Sequence, residues 1–318
     1  MSYNSAITTM LLLLSTAAGC AISPHGNTVG TELVPLTRTS SPKSRIPIVP
    51  LSNSTADPFV MTERGGPMLE VEYGRRRPVI DGIGTVLGVP RKLLLWDRRA
   101  DNHRVSDETV DNVANYLGER NLADVKVRVN QYAPIDEWRR LVANKQVGAG
   151  WRYTLGTLKH LEYTLLPGRI WGGDEYNPYT NSLYLYSDAA PLALAEAAYA
   201  KDIHERHHPG TYAAAQELPI IGLWHESLAT DETMSYVTER STAKDIAETR
   251  RLLYARYGMK AGGDIGGVGP SNGLSIGSFA EVIGAVSGHA IAGIENHREL
   301  QQRDQTSETA PIIMRGNH

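Results

Sequence analysis

The sequence is poor in cysteine: its 318 residues contain one, at position 20. A single cysteine excludes an intramolecular disulfide and any zinc site built from several thiolates. The sequence also lacks an excess of one charge, because 32 Lys and Arg residues face 35 Asp and Glu residues. A large basic surface for nucleic acid is therefore not expected. Phenylalanine is scarce too, with 2 residues against 15 tyrosines, which favours half-buried grooves and interfaces.

A common enzyme signature is missing as well. The chain contains no phosphate-binding Gly-Lys-Ser/Thr loop, so nothing points to a P-loop enzyme. Hydrophobic residues nevertheless make up 41% of the chain and charged residues 21%. This balance favours a folded protein over a disordered one.

The N-terminus carries a short apolar run, from residue 7 to residue 18, which ends in Ala-Ala-Gly before Cys20. Small residues directly before a cysteine are typical of a lipobox, where the thiol is lipidated. We therefore predict a lipoprotein signal peptide over residues 1–20, lipidation at Cys20, and a lipid-anchored place in the cell envelope outside the cytoplasm. An ordinary secretory signal and a retained anchor stay open, although a comfortable membrane span needs about 20 apolar residues.

The next segment, residues 21–75, has the composition of a tether. Residues 21–60 contain six Pro, six Ser and five Thr, with little apolar periodicity. Such a stretch buries too little surface to offset chain entropy. We therefore predict a disordered tether between the membrane and the domain.

From residue 76 to residue 260 the hydrophobic pattern becomes regular and predicts an α+β domain. The predicted elements are a helix capped by Ser106, a strand at 124–132, a helix from Pro134, a strand-rich stretch at 153–168, a strand at 182–188 and a helix at 189–208. The beginning of the domain is basic: three arginines at 75–77 precede an apolar segment that also contains Arg91, Lys92 and Trp96. Core packing is favoured there, and a basic amphipathic segment against a membrane is the alternative.

The predicted helix at 189–208 contains a carboxylate on its apolar face. At 100° per residue, Leu192, Glu196 and Tyr199 share one side of the helix. A buried and unpaired carboxylate is costly, so Glu196 must be paired, protonated or bound to a ligand. A satisfied polar contact and a site, whether relic or live, remain equally open.

A family resemblance bears on this helix. The stretch from about Gly88 to Tyr257 resembles bacterial envelope lipoproteins with a minimal zincin-like domain, a kind of metallopeptidase fold. The similar segments include VPRKLLLWDRR, VRVNQYAP, GAGWRYTLGTL, GGDEYNPYTNSLYLYSD and AKDI. The resemblance implies a small sheet whose edge strand holds a peptide, followed by a helix carrying His-Glu-x-x-His. The two histidines would bind zinc, the glutamate would activate water, and a later helix would supply a third ligand.

In this registration the motif is degenerate. Ala195 and Tyr199 stand where the two histidines belong, Glu196 is the relic of the general base, and Glu226 is the candidate third ligand. The resemblance thus implies the fold without the metal, and no cofactor is expected. It also implies a peptide-binding strand at Leu183, Tyr184, Leu185 and Tyr186.

A literal match to His-Glu-x-x-His also exists, at residues 204–208. It would form a shifted zinc site from His204, His208 and Glu226, with Glu205 as general base and His225 as a further possible ligand. A solvated helix end is the favoured interpretation, because the segment is charged and lies directly before Pro209. Adventitious metal binding is a third interpretation.

The C-terminal part, residues 261–300, combines a glycine-rich loop with a predicted helix. Small residues recur there at Gly277, Ala280, Gly284 and Gly288, a spacing that favours close helix packing. The packing partner could be this domain, another copy or a membrane, and a ligand-binding loop is a lesser possibility. Residues 301–318 are predicted to be a polar tail.

Three functions follow from these patterns. The leading one is a pseudopeptidase that binds an extended peptide or an envelope protein by strand addition. The second is the active zinc hydrolase of residues 204–208, and the third is a structural envelope protein that oligomerises through the C-terminal helix. The first requires Glu196 and Glu226 to approach each other from two helices, with about 4–7 Å between their carboxyl oxygens given zinc–oxygen bonds near 2 Å. The repulsion between the two carboxylates must then be relieved by a proton or by an Arg, Lys or Tyr.

Overall fold

The computed structural model describes residues 28–35, 68–171, 173–266 and 276–308. Its strands are β1 (Thr28–Pro35), β2 (Met68–Gly74), β3 (Lys126–Val129), β4 (Glu175–Asn177) and β5 (Ser182–Leu185). Its helices are α1 (Pro78–Leu87), α2 (Val89–Leu95), α3 (Asp107–Glu119), α4 (Pro134–Ala143), α5 (Ala149–Trp151), α6 (Thr157–Leu165), α7 (Gly168–Trp171), α8 (Ala190–His204), α9 (Pro209–Ala215), α10 (Pro219–Arg240), α11 (Ala243–Gly266) and α12 (Ile276–Glu308), with a π-helical segment (Arg152–Gly156) joining α5 to α6.

The strands form one mixed sheet in the order β1-β2-β3-β5-β4. The three central strands β2, β3 and β5 are parallel, whereas the edge strands β1 and β4 are antiparallel to their neighbours. Because side chains alternate along a strand, Val71, Val127 and Leu183 share one face and enter the main hydrophobic core. A mixed sheet covered by helices confirms the α+β class.

Helix α3 begins as predicted, because Ser106 accepts a hydrogen bond from the Thr109 N–H at 3.3 Å. Asp188 lies two residues before α8, but its carboxylate accepts from the Ser106 backbone N–H at 2.9 Å. Helix α8 begins instead after Ala189, with no side-chain cap. The predicted strands at 124–132 and 182–188 are confirmed in type and are shorter, since β3 and β5 have four residues each.

Helix α8 ends four residues earlier than predicted. Its last residue is His204, Glu205 is the C-cap, and Pro209 opens the separate helix α9. The residue before a proline is disfavoured in the helical conformation, and His208 has non-helical backbone angles of φ −128° and ψ 70°. The literal His-Glu-x-x-His match therefore straddles a helix end.

Two other predictions were wrong. Residues 153–168 are helical rather than rich in strand, because Leu158, Leu161 and Leu165 follow a helical spacing. The predicted tether contains β1 and β2, and the side chains of Leu69 and Val71 in β2 are fully buried. Cys20, the signal peptide and the remainder of the tether lie outside the described residues.

Helices α11 and α12 form a close antiparallel pair. A Cβ atom added to Gly284 would lie 1.9 Å from the Gly258 carbonyl oxygen, and one added to Gly288 would lie 2.1 Å from the Tyr254 carbonyl oxygen. Close packing of the small residues is thus confirmed, and α11 of the same chain occupies their face. Helix α12 continues to Glu308, so the first eight residues of the predicted polar tail are helical. Among the helices described, none is long and apolar enough to cross a membrane.

Candidate functional site

A cavity of about 190 Å³ lies between the edge strand β4 and helices α8, α10 and α11. Its wall includes Glu175 of β4, Glu196 and Tyr199 of α8, Glu226 of α10 and Arg256 of α11. Glu175 is exposed on this wall, whereas Glu196 and Glu226 are buried. The cavity thus lies between the helix that carries Glu196 and an edge strand of the sheet.

Glu196 is buried and fully engaged by two donors. Its Oε2 accepts the backbone N–H of Tyr176 in β4 at 2.9 Å. Its Oε1 accepts from Nη2 of Arg256 at 2.5 Å. The carboxylate therefore ties the edge strand to α8 and to α11 at once.

Glu226 meets the same guanidinium from the next helix. Arg256 Nε lies 2.7 Å from Glu226 Oε1, and Nη2 donates to Oε2 at 3.2 Å. Burial alone would lower the pKa of Arg256, but the charges of Glu226 and Glu196 more than offset this and hold that pKa above its usual value. The prediction that the two carboxylates converge and are relieved by a cation is confirmed.

Arg256 itself is the residue that sequence reasoning missed. It lies four residues after Leu252 and three after Leu253, both of which are fully buried on α11. Residues at these spacings share a helix face. The arginine on this apolar face could therefore have been identified from the sequence as a candidate partner of Glu196.

The two positions where the resemblance expects histidine offer no imidazole. Ala195 is buried. The Tyr199 ring packs edge-on against Tyr176, with 5.3 Å between centroids, and against His225, with 4.2 Å between centroids. Burial raises the pKa of Tyr199 well above its ordinary value, so its hydroxyl stays protonated near neutral pH. These residues do not fit a zinc ion.

His225 is held by partners on α8 and α9. Its Nδ1 lies 3.0 Å from Asp202 Oδ2 and 3.0 Å from the Tyr212 hydroxyl. Burial would raise the pKa of Asp202, but hydrogen bonds with His225 and Tyr212 and the charge of Arg206 lower it overall. The other ring nitrogen, Nε2, is buried and has no hydrogen-bond partner among the described residues. This imidazole borders the cavity with one nitrogen fixed and one available.

The shifted zinc site does not assemble. His204 Nδ1 contacts the Ala200 carbonyl at 2.7 Å and Nε2 contacts Asp124 Oδ2 at 3.3 Å, whereas Glu226 pairs with Arg256. His208 is exposed at the start of α9, and Glu205 is exposed at the end of α8. Within the ranges that the structure describes, no three His, Cys, Asp or Glu side chains form a group that could hold a metal ion.

The predicted peptide-binding strand is not an edge. Leu183, Tyr184 and Leu185 belong to β5, which pairs with β3 on one side and β4 on the other, and Tyr186 follows it as a buried residue. An added strand has no free backbone groups to meet there. The edge is β4, which is too short for its alternation to be read from sequence, and its Tyr176 N–H is already bound to Glu196.

The chain matches no protein-family model, no curated protein and no solved structure. Its function is therefore inferred from the chemistry of the cavity.

Proposed function

We propose that this protein is a lipid-anchored envelope protein whose zincin-like domain binds peptides without hydrolysing them. One observation carries the proposal: the guanidinium of Arg256 lies between Glu196 and Glu226. In the resemblance these are the positions of the general base and of the third zinc ligand. A fixed organic cation thus takes the place of the metal between the two carboxylates.

This arrangement removes the parts that hydrolysis needs. A zinc peptidase lowers the pKa of a bound water and keeps one coordination position open. A guanidinium donates hydrogen bonds but binds no water as a Lewis acid. Glu196 is also committed to the Tyr176 N–H and to Arg256, so it is not free to accept a proton from water.

The same arrangement supports binding. Arg256 Nη1 and His225 Nε2 are buried on the cavity wall without partners among the described residues. A buried donor without an acceptor costs about 1–3 kcal/mol, and a peptide carbonyl or carboxylate oxygen in the cavity would satisfy Arg256. The peptide is then held by the cavity beside β4 rather than by strand addition along it.

Zinc titration tests the relation to zinc peptidases. We expect the variant Ala195→His/Tyr199→His to bind zinc weakly, because Arg256 still lies between the two carboxylates. Adding Arg256→Ala to that variant should tighten zinc binding at least a hundredfold, measured by calorimetry after chelator treatment. A triple variant that binds no zinc would show that the resemblance misplaces α8 relative to Glu226.

Peptide binding and the anchor need separate tests. Immobilised protein should retain members of a mixed decapeptide library, and Arg256→Met should abolish this retention while the exposed control Ile220→Ser does not. Peptide cleavage by the unmodified protein, lost in Glu196→Gln, would overturn the proposal. The anchor predicts that Cys20→Ala abolishes labelling with a fatty-acid analogue and releases the protein from membranes.

A further inference from the structure

Helices α1 and α2 expose apolar side chains in regular rows. Val79, Ile83 and Val86 lie on one side of α1, at the spacing i, i+4, i+7, and Val79 and Val86 are 75% and 67% exposed. Val89, Leu93 and the C-cap residue Trp96 repeat this spacing along α2, and all three are exposed. Apolar rows of this kind on a protein surface mark a place of contact.

A third row joins them from α12. The Trp96 ring stacks on His289 of α12 with 4.1 Å between centroids, and His289 Nε2 contacts the Leu94 carbonyl at 2.8 Å. The N-terminal half of α12 exposes Phe279, Ile283 and Val286. The rows of α2 and α12 therefore lie next to each other, and α1 directly precedes α2 in the chain. The three exposed rows are here called the apolar surface.

The charge next to the apolar surface is strongly positive. Residues 75–99 contain seven Arg and Lys residues against two Asp residues, in a chain whose net charge is −3. Arg75, Arg76 and Arg77 directly precede α1, and their exposed side chains form no ion pair within the described part of the chain. A partner with negative charge beside an apolar layer matches this surface.

A small cavity beside the three arginines has polar groups on its wall. It has a volume of about 130 Å³, and Arg75, Arg77 and Gln131 are part of its wall. Gln131 is 3% exposed, and its Nε2 has no partner among the residues described. Two cations and one unsatisfied amide donor suit the phosphate of a lipid headgroup.

The chain path brings the N-terminal segment to the same place. Strand β1 pairs with β2 so that Thr28 lies opposite Gly74, the residue directly before Arg75. Cys20 precedes Thr28 by eight residues, which extend over at most about 28 Å. A lipid on Cys20 would therefore enter the bilayer close to the basic triplet.

We infer that the apolar surface and Arg75–Arg77 dock this protein flat on an anionic bilayer, with the apolar rows in the interface and the arginines at the phosphates. The argument from chain path rests on the proposed lipid anchor, whereas the apolar rows and the charge do not. Docking would fix the orientation of the domain at the membrane surface.

Vesicle sedimentation tests the inference on the chain from residue 20 onward, carrying Cys20→Ser so that no lipid is attached. We expect binding to phosphatidylglycerol vesicles and at least tenfold weaker binding to phosphatidylcholine vesicles. Each basic residue near an anionic surface contributes about 1 kcal/mol, so Arg75→Glu/Arg76→Glu should weaken binding at least tenfold. Val79→Ser/Val86→Ser should do the same by removing the apolar contact.

Matched controls lie on other exposed surfaces. Arg139→Glu/Lys145→Glu makes the same charge change, and Leu158→Ser/Ile220→Ser removes equally exposed apolar side chains. Equal weakening by these pairs, or no binding by the unmodified chain, would overturn the inference. A dimer in solution that Val79→Ser/Val86→Ser dissociates would assign the surface to a second copy instead. Because no lipid is attached, the result stands whether or not Cys20 is lipidated in cells.

Competition with inorganic phosphate tests the small cavity. If phosphate releases the protein from vesicles, the cavity is a headgroup site. If phosphate binds without affecting vesicle binding, it is an adventitious ion only and the small cavity is not part of the docking surface.

Discussion

Arg128 and Arg256 each contact carboxylates from neighbouring elements, and the surroundings of the two guanidinium groups differ. Arg128 extends from β3 on the face of the sheet covered by α4, and its side chain is fully buried. Its guanidinium contacts Glu72, Asp136 and Glu137, with Nε 2.5 Å from Glu137 Oε1. Glu137 also accepts hydrogen bonds from two hydroxyl groups of β5. Every nitrogen of this guanidinium has a carboxylate partner.

Arg256 lies in a cluster that is incomplete. Its Nη1 has no partner within the described ranges, and neither has Nε2 of the adjacent His225. Both residues border the 190 Å³ cavity, whereas Arg128 does not. Both clusters combine burial with opposite charges. Of the two, the Arg256 cluster is the one with unsatisfied atoms beside a cavity.

The difference separates a structural role from a binding role. A buried polar network in which every member is satisfied rigidifies the fold, and one with unsatisfied members at a cavity is arranged for a further partner. We therefore expect substitutions in the Arg128 cluster to lower mainly the free energy of unfolding. Substitutions in the Arg256 cluster should lower mainly the affinity for peptide.

The largest effect is expected at Arg128. Arg128→Met leaves Glu137 without its cation in a closed environment, and breaking such a pair costs about 3–5 kcal/mol of unfolding free energy. Urea denaturation measures this loss. The exposed Arg139 provides the control, since Arg139→Met should change stability by less than about 0.5 kcal/mol. Equal losses in the two variants would remove the structural role.

A smaller loss is expected at Arg256. Arg256→Met should lower the unfolding free energy by about 1–3 kcal/mol, because Glu196 keeps the Tyr176 N–H and water can reach the carboxylates from the cavity. Adding Glu226→Gln should recover part of the loss, because the uncompensated charge is removed. A loss as large as that of Arg128→Met would make the Arg256 cluster structural as well.

Some of the residues in this comparison could be placed from the sequence, and others could not. The approach of Glu196 and Glu226 followed from the family resemblance, and the helix at Ser106 followed from local capping. Arg256 was not placed, because its contact with Glu196 joins residues 60 positions apart and depends on how two helices pack. The burial of Arg128 was hidden for the same reason: β3 alternates polar and apolar residues, and only α4 converts its polar face into a buried one.

Local signals failed where a long-range or competing constraint decided the structure. Helix α8 was extended to His208 because its composition is helical, whereas the chain turns into α9 before Pro209. Strand β5 was assigned to the edge because the true edge, β4, has only three residues. The tether prediction rested on Pro, Ser and Thr content and overlooked β2, whose alternating Leu69 and Val71 enter the core.

The helix pair that carries Arg256 gives an intermediate effect. Gly284→Ala places a Cβ 1.9 Å from the Gly258 carbonyl, and the helices must separate. Overpacking costs about 1–3 kcal/mol and the gain in helix propensity is about 1 kcal/mol, so a net loss of up to about 2 kcal/mol is expected. Gly258 lies two residues after Arg256 on α11, so a shift of α11 would also move Arg256. We therefore expect the affinity for peptide to fall together with the unfolding free energy.

A glycine on the same helix provides the control. An added Cβ at Gly293 meets no atom within 4 Å, so Gly293→Ala should stabilise the protein by about 0.5–1 kcal/mol. Thermal unfolding measures both changes. Equal stabilisation by the two alanines would mean that α11 and α12 do not pack closely through Gly284, and the position of Arg256 would need another cause.

The smallest effect is expected from the partly exposed pair of His204 and Asp124. Burial would lower the pKa of His204, but the hydrogen bond and charge of Asp124 and the Ala200 carbonyl raise it overall, and the pKa of Asp124 is lowered. A histidine with a raised folded pKa stabilises the protein fully below its unfolded pKa, about 6.5, and this stabilisation disappears as pH rises through the folded pKa. Because the Asp124 side chain is 49% exposed, solvent screening keeps the contribution of the pair to stability below about 1 kcal/mol.

His204→Gln should therefore lower the unfolding free energy at about pH 5.5 and leave it nearly unchanged at about pH 9. Asp124→Asn should remove most of this pH dependence of the effect of His204→Gln. A His204→Gln variant that loses the same stability at both pH values would show that packing, not charge, holds this imidazole in place.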